Sequence, residues 1–309
     1  MRVSLITTVR NEASSIDELI DAVRDQSRPP DEWVVVDGGS KDDTVERLER
    51  AGTCRVIVGS GNIARGRNTA VHLASGDLIA VTDAGCRPER RWLEHLVRPL
   101  EQGLAPISAG RTRPRIQHPI DAAQWALLDQ FAVAGLRVPA LSARSLAFLR
   151  SVWQECPFPE WLDTGEDTWL FLAWQRRGLA IRTVEDAIVD WQPRPTLAAW
   201  WRQHFSYQRG EGRAFVHSRR QALRFGYYAA LATLSGGGAP AWAGAAFVAY
   251  LAASGLRLPP MLGGKRASFI GGAVALLPVA LVVMDVAKMT GYLAGLGKRL
   301  AADRGALQP

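Results

Sequence analysis

The stretches Trp33–Thr44, WVVVDGGSKDDT, and Leu78–Pro88, LIAVTDAGCRP, share one design. Each is a short apolar run that ends beside a lone aspartate, Asp37 in the first and Asp83 in the second. A run apolar at every position suits a strand covered on both faces, as in a parallel sheet flanked by helices. A side chain just past the carboxyl end of such a strand faces the crevice where open α/β sheets bind ligands. A third acidic station, the pair Glu166–Asp167 in TGEDTWLF, stands at the start of a helical pattern.

Outward from these stretches the alternation continues. Val3 to Val9 reads as a first strand, and Asn11 to Ser15 offers caps before an amphipathic helix bearing Ile16, Leu19, Ile20 and Val23. Pro29–Pro30 stops that helix; Trp33 to Val36 is the second strand and Lys41 to Ala51 the second helix. Cys54 to Val58 predicts a third strand, Asn68 to Ala74 a helix and Leu78 to Thr82 a fourth strand. Alternation at this spacing predicts an α/β fold with a mostly parallel sheet. Further along, a helix is expected near Asp121 to Ala134, a strand or extended loop at Pro139 to Ser145, a helix over Thr168 to Arg177 and a closing strand at Ala180 to Val184.

The 309 residues carry a formal charge of +7, but the basic residues are scattered, with Arg219–Arg220 and Lys265–Arg266 beside apolar segments. That placement favours anionic lipid headgroups over nucleic acid. Cys54, Cys86 and Cys156 show no C-x-x-C spacing, which argues against a disulfide framework or thiolate zinc site and for a reduced, cytosolic catalytic part. The opening MRVSLITTVRNE lacks the features of a signal peptide. From Phe225 to Leu256 there is no charge, with Ser235-Gly-Gly-Gly-Ala-Pro240 as an interruption, and Ala267 to Met284 is a second uncharged run near membrane-spanning length. A single crossing by the first run would put Arg257, Lys265 and Arg266 outside, against the positive-inside tendency, so the Gly-rich break is expected to fold it into a hairpin or re-entrant pair.

In combination the motifs SLITTVRNE, VVVDGGSKDDT, NIARGRNTAVHLASGDLIAVTDAGCRP and TGEDTWLFLAWQRRG resemble those of the family 2 glycosyltransferases over roughly Met1 to Arg213. The resemblance implies a GT-A nucleotide-diphosphate-sugar fold over residues 1–213; the aromatic and basic stretch at 196–213 predicts an interfacial helix region within it, and the uncharged runs beyond predict a hydrophobic membrane-anchoring region at 214–309. It implies that Asp37 accepts a hydrogen bond from the nucleotide, with Thr8 and Glu12 lining the base and ribose pocket. An Asp in a D-G-G-S context also caps its own turn, and Glu12 also fits an exposed helix start, so both readings stand at this point.

Arg67 and Asn68 match the family's Arg-Asn pair, and with Arg65 are expected before a helix, where cations and backbone N–H groups meet a diphosphate. Asp83 takes the first position of the family's Asp-x-Asp metal motif, but Gly85 stands where the second carboxylate belongs, so the implied Mg²⁺ or Mn²⁺ would rest on one Asp plus the diphosphate. Asp167 matches the catalytic base of an inverting transfer, Glu166 an acceptor contact, and the pair also reads as a helix cap. Arg209, in the aromatic and basic stretch LAAWWRQHFSYQRG, is a candidate diphosphate contact or a solvated surface arginine. No histidine is promoted to metal ligand, His204 included.

The implied activity is inverting transfer from a nucleotide-diphosphate-sugar, UDP-sugar favoured, to a hydroxyl acceptor on a lipid or cell-envelope glycan. The implied place is the inner membrane, with the catalytic domain on the cytoplasmic side. The alternative, motivated by the missing carboxylate, is a weakly active or inactive nucleotide-sugar or partner-binding module.

Overall fold

The computed structural model describes residues 1–128, 141–255, 258 and 262–306. The chain divides into two compact units, one of residues 1–113 and 139–192, the other of 114–138 and 193–309. In chain order the elements are β1 (Val3–Val9), α1 (Ile16–Arg24), β2 (Glu32–Asp37), α2 (Thr44–Ala51), β3 (Arg55–Val58), α3 (Ile63–Leu73), β4 (Leu78–Val81), β5 (Cys86–Pro88), α4 (Trp92–Glu101), β6 (Ile107–Pro114), α5 (Pro119–Leu128), β7 (Leu146–Leu149), α6 (Arg150–Glu155), α7 (Glu166–Arg176), β8 (Ile181–Trp191), α8 (Leu197–Ala214), α9 (Ser218–Gly236), α10 (Pro240–Gly255) and α11 (Ala267–Ala306).

In the first unit the strands lie in the order β3-β2-β1-β4-β7-β6-β8-β5. The expected alternation builds the parallel half: β2 and β4 pair with β1, and β3 with β2. The flank is antiparallel, with β7 on β4, β6 on β7 and β5 on β8. Ile16, Leu19, Ile20 and Val23 are the buried face of α1, as their spacing requires. The core of the unit gathers Ile6, Val34, Val36, Ile79, Val81, Phe148, Phe158 and Trp174. Gly76 marks a point where no side chain fits, because a Cβ there would stand 2.5 Å from Ser4 Oγ and 2.8 Å from Arg2 O.

Several boundaries differ from the sequence reading. The helix expected from Asn68 begins at Ile63, because Asn62 caps it by accepting from Arg65 N at 3.0 Å. Arg65, Arg67 and Asn68 therefore lie within α3 and not ahead of it. The closing strand runs on to Trp191. Residues 141–145 precede β7 without being strand; the rest of the Pro139–Ser145 segment, and the expected helix beyond Leu128, lie outside the described residues.

The second unit is helical among its described residues. The Gly-rich interruption separates α9 from α10, as expected. Arg257 of the basic loop lies outside the described residues. Within α11, Ala267–Ala302 is long and apolar enough to cross a membrane, with mean hydropathy 2.3 over its most apolar window and 28% of that window buried. Glycines bring α8 and α11 together: Gly291 lies on the Phe205 backbone, Gly295 on Arg209 O, and Gly212 on Tyr292 O, each too close for a Cβ. Small residues at such spacing let helix backbones approach where large side chains would hold them apart. Asp285, fully buried, accepts from Arg224 Nε at 2.8 Å, Tyr228 Oη at 3.0 Å and Tyr250 Oη at 2.8 Å, tying α9 and α10 to α11.

Candidate active site

Asp37 ends β2, and its carboxylate accepts from Gly39 N at 3.0 Å, Ser40 N at 2.9 Å and the Ser40 hydroxyl. The turn-capping reading is therefore realised, with Gly39 at φ 86° supplying the left-handed residue. Thr8, paired with Val36 across β1 and β2, carries a buried Oγ1 that has no hydrogen-bond partner among the described residues. Glu12 N–H donates to Thr44 Oγ1 at 2.8 Å, and its Oε2 accepts from Ser15 Oγ at 2.7 Å, so Glu12 organises the start of α1.

Arg67 gathers the other two acidic stations. Its side chain is 2% exposed; Nη2 donates to Asp83 Oδ1 at 2.8 Å, and Nη1 donates to Glu166 Oε1 in a very short contact. Burial opposes the cation, but Asp83, Glu166 and Asp167 outweigh it and hold the guanidinium above its usual pKa. Burial pushes the Glu166 carboxyl up to about 7; Arg67 acts in the opposite sense, and the like charge of Asp167 adds to the rise. Three acidic side chains thus gather around one buried guanidinium. Asp167 sits beside this group in the first turn of α7, with Oδ1 accepting from Thr168 N at 2.7 Å and Oδ2 from Ala143 N at 3.3 Å. Gly165, at φ 74°, turns the chain into α7 so that both acids fall in its positive first turn.

Asn68 is spent on structure. Its Oδ1 accepts from Trp153 Nε1 at 2.9 Å and Phe158 N at 3.0 Å, and its Nδ2 donates to Phe158 O and Glu160 Oε1, both at 2.9 Å. That fills the amide's hydrogen-bonding capacity and ties α3 to the 153–160 segment. Arg209 lies on α8 in the second unit. His204, also on α8, is 3% exposed and packs edge-on against Trp200 with centroids 4.0 Å apart.

The sequence reading missed Arg144. Its guanidinium lies 4.7 Å from the Trp191 ring centroid, and Trp191 pairs with Cys86, three residues past Asp83. The Arg144 carbonyl accepts from Thr82 Oγ1 at 2.9 Å, next to Asp83, and the preceding residue's N–H holds Asp167. A basic residue in a loop with no regular pattern gives little signal; the antiparallel β5–β8 pairing supplies its aromatic partner.

For a divalent cation the donor set is sparse. Among the described residues no group of three His, Cys, Asp or Glu side chains is placed to hold one. Asp83 is 31% exposed and gives one oxygen to Arg67, which leaves the other for a hard cation that draws its remaining ligands from phosphate and water. Cys86, two percent exposed, has its thiol pushed up to about 12 by burial and by Asp83, which makes it no partner for such an ion. The residues fit a one-carboxylate site with no preformed cage.

A parallel half-sheet with carboxylates at its strand ends, an antiparallel flank and a first-turn acidic pair define a GT-A-type unit. Residues 4–127 match the family described as Glycosyl transferase family 2. It is 35% identical over 101 residues to the glycosyltransferase AglE of Haloferax volcanii, an alignment covering 30% of this chain and 33% of AglE. The chain thus spans about a third of that relative's length. It is 25% identical over 256 residues to the O-antigen chain rhamnosyltransferase RfbN of Salmonella typhimurium, covering 72% of this chain and 82% of RfbN. Among solved structures it is similar to the mannosyltransferase PcManGT of Pyrobaculum calidifontis in complex with GDP-Man and Mn²⁺, with TM-score 0.58 and 21% identity over 93% of this chain and 87% of that one. It is also similar to glucosyl-3-phosphoglycerate synthase of Mycobacterium tuberculosis, with TM-score 0.50 and 23% identity over 63% of this chain and 73% of that one. These likenesses establish the GT-A fold.

Proposed function

We propose that the chain is an inverting glycosyltransferase that moves a sugar from a nucleotide-diphosphate donor, UDP-sugar first among those to test, to a hydroxyl on a lipid or cell-envelope glycan. The observation that carries the reading is the single cluster in which Arg67 bridges Asp83 and Glu166 with Asp167 beside them. In this reading Asp167 removes the proton from the attacking hydroxyl, its carboxylate held in place by Ala143 N and Thr168 N. Glu166, fixed by Arg67, orients the acceptor. Asp37 releases one of its turn contacts to accept from the nucleotide, and the unpartnered Thr8 hydroxyl and Glu12 border that pocket.

A bound Mg²⁺ or Mn²⁺ would supply Lewis-acid stabilisation of the departing diphosphate, with Asp83 as its protein ligand. Arg67 holds Asp83 aimed, Asn68 fixes the helix that carries Arg67, and Arg144 offers further positive charge for phosphate. The largely uncovered apolar length of α11 supports a place on the inner membrane, and the basic residues at 265–266 favour the cytoplasmic side for the catalytic unit.

The test is to incubate membranes holding the full chain with a panel of radiolabelled nucleotide sugars and to extract labelled lipid and glycan. Asp167→Asn should abolish transfer and spare donor binding. Unchanged transfer by Asp167→Asn would remove the base assignment, and donor binding without turnover for any sugar would favour a binding module.

A further inference from the structure

The second unit holds a basic cleft that plays no part in the chemistry proposed above. Its volume is about 450 Å³, and its walls include Gln117, His118, Lys265, Arg266, Ser268 and Phe269. A lysine, an arginine and a histidine line it, with no carboxylate among the lining residues. One wall is rigid: Asp121, fully buried behind it, uses Oδ2 to accept from Gln117 N at 2.9 Å and His118 N at 2.8 Å. Across the cleft Lys265 is set, not loose, with Nζ donating to Ile116 O at 3.1 Å and lying 5.0 Å from the Phe269 ring centroid. Arg266 and Ser268 are exposed.

The cleft stands at the first residues of α11, whose Ala267–Ala302 portion has membrane-spanning length and leaves most of its apolar window uncovered. A cationic pocket continuous with an uncovered apolar helix matches one kind of molecule at both ends. An anionic headgroup meets the charge, and acyl chains meet the helix.

We infer that this cleft binds the headgroup of an anionic phospholipid, with Lys265 and Arg266 on the phosphodiester and Ser268 within hydrogen-bonding range of its oxygens, while the acyl chains run along α11. Charge complementarity favours an anionic lipid over a zwitterionic one, whose own cation would face Lys265 and Arg266. The inference rests on the membrane placement proposed above and adds headgroup selectivity to it.

The test uses the purified full chain in a neutral detergent, titrated with short-chain phosphatidylglycerol, short-chain phosphatidylcholine or inorganic phosphate while thermal unfolding is followed. Phosphatidylglycerol should raise Tm and the other two should not. In the Lys265→Gln/Arg266→Gln double variant the apparent affinity for phosphatidylglycerol should fall about twentyfold or more, from about fivefold per charge. An Arg55→Gln/Arg182→Gln variant, which loses the same net charge from the first unit, should respond as the parent does. An equal response to phosphatidylcholine would reduce the site to its apolar face, an equal response to phosphate would make it a free-anion site, and a double variant that responds normally would exclude these residues; each overturns the inference. Reconstitution into vesicles separates the two levels: a chain that enters vesicles of every composition with no headgroup preference loses this inference alone, whereas one that enters none loses the membrane placement itself.

Discussion

Replacing Arg67 with Met tests whether the three carboxylates form one electrostatic unit. The methionine keeps much of the side-chain volume but removes the only cation within contact of both Asp83 and Glu166 among the described residues. Glu166, 6% exposed, would then be a buried acid with Asp167 beside it and no counter-charge. Removing one partner of a buried pair costs about 3–5 kcal/mol, because the remaining charge is stranded. For a unit of this size that lowers Tm by about 9–15 °C. Arg67→Lys keeps the charge but lacks the fork that reaches two carboxylates at once, and should recover about half of the loss.

The assay is thermal unfolding of the full chain, read by near-ultraviolet circular dichroism, for the parent, Arg67→Met, Glu166→Gln and the double variant. With the acid neutralised, losing the cation should hurt less, so the double variant should be more stable than the sum of the singles predicts by about 1 kcal/mol or more. An Arg67→Met protein that melts within about 1 kcal/mol of the parent, or strictly additive singles, would refute the reasoning.

Glu32 gives a pH prediction: burial opposes its ionisation, but hydrogen bonds from Ser4 and Ser75 prevail and hold it at about 2 against an ordinary value of 4.5. A depressed carboxyl stabilises the fold above its unfolded pKa and loses that contribution as pH falls through about 2, so Glu32→Gln should remove about 1–2 kcal/mol at pH 7 and flatten the acid limb of the Tm profile. Asp285→Ala strands Arg224, 3% exposed, and should cost about 3–5 kcal/mol in the detergent-solubilised chain, measured by thermal unfolding. Gly291→Leu has to push α11 off the Phe205 backbone and should cost about 1–3 kcal/mol by the same measurement. Chelation by EDTA should abolish sugar transfer and added Mn²⁺ restore it; full activity in EDTA would shift charge stabilisation to Arg144.

What the sequence disclosed depended on how local the cause is. β1 to β4 are apolar runs between capped helices, so their existence and parallel pairing follow from composition within a few residues, and Asp37 and Asp83 fall at strand ends for the same reason. The antiparallel flank is another matter. β5 is three residues long and acquires its meaning from β8, a hundred residues later, and nothing within Cys86–Pro88 specifies that partner. Arg67 shows the same limit inside the site. Its residue type suggested phosphate, and Asn68 beside it strengthened the motif, yet the starting point of α3 is set by the Asn62 cap, and that shift buries Arg67 against two carboxylates instead of leaving it at a helix mouth.

In the proposed reaction a buried cation holding the acids would leave the diphosphate in need of another partner, and Arg144 is the candidate whose position no local pattern could reveal. It depends on the Thr82 contact beside Asp83, the Ala143 contact to Asp167 and an aromatic ring brought in by β8. Under the proposed function, with Gly85 where a second metal-site carboxylate would stand, a cation at this place would compensate for a weaker metal site. Arg144→Gln should therefore raise KM for the nucleotide sugar about tenfold, the loss of one charge-assisted contact, while leaving acceptor KM in place. A rise confined to the acceptor KM would instead put Arg144 on the acceptor wall.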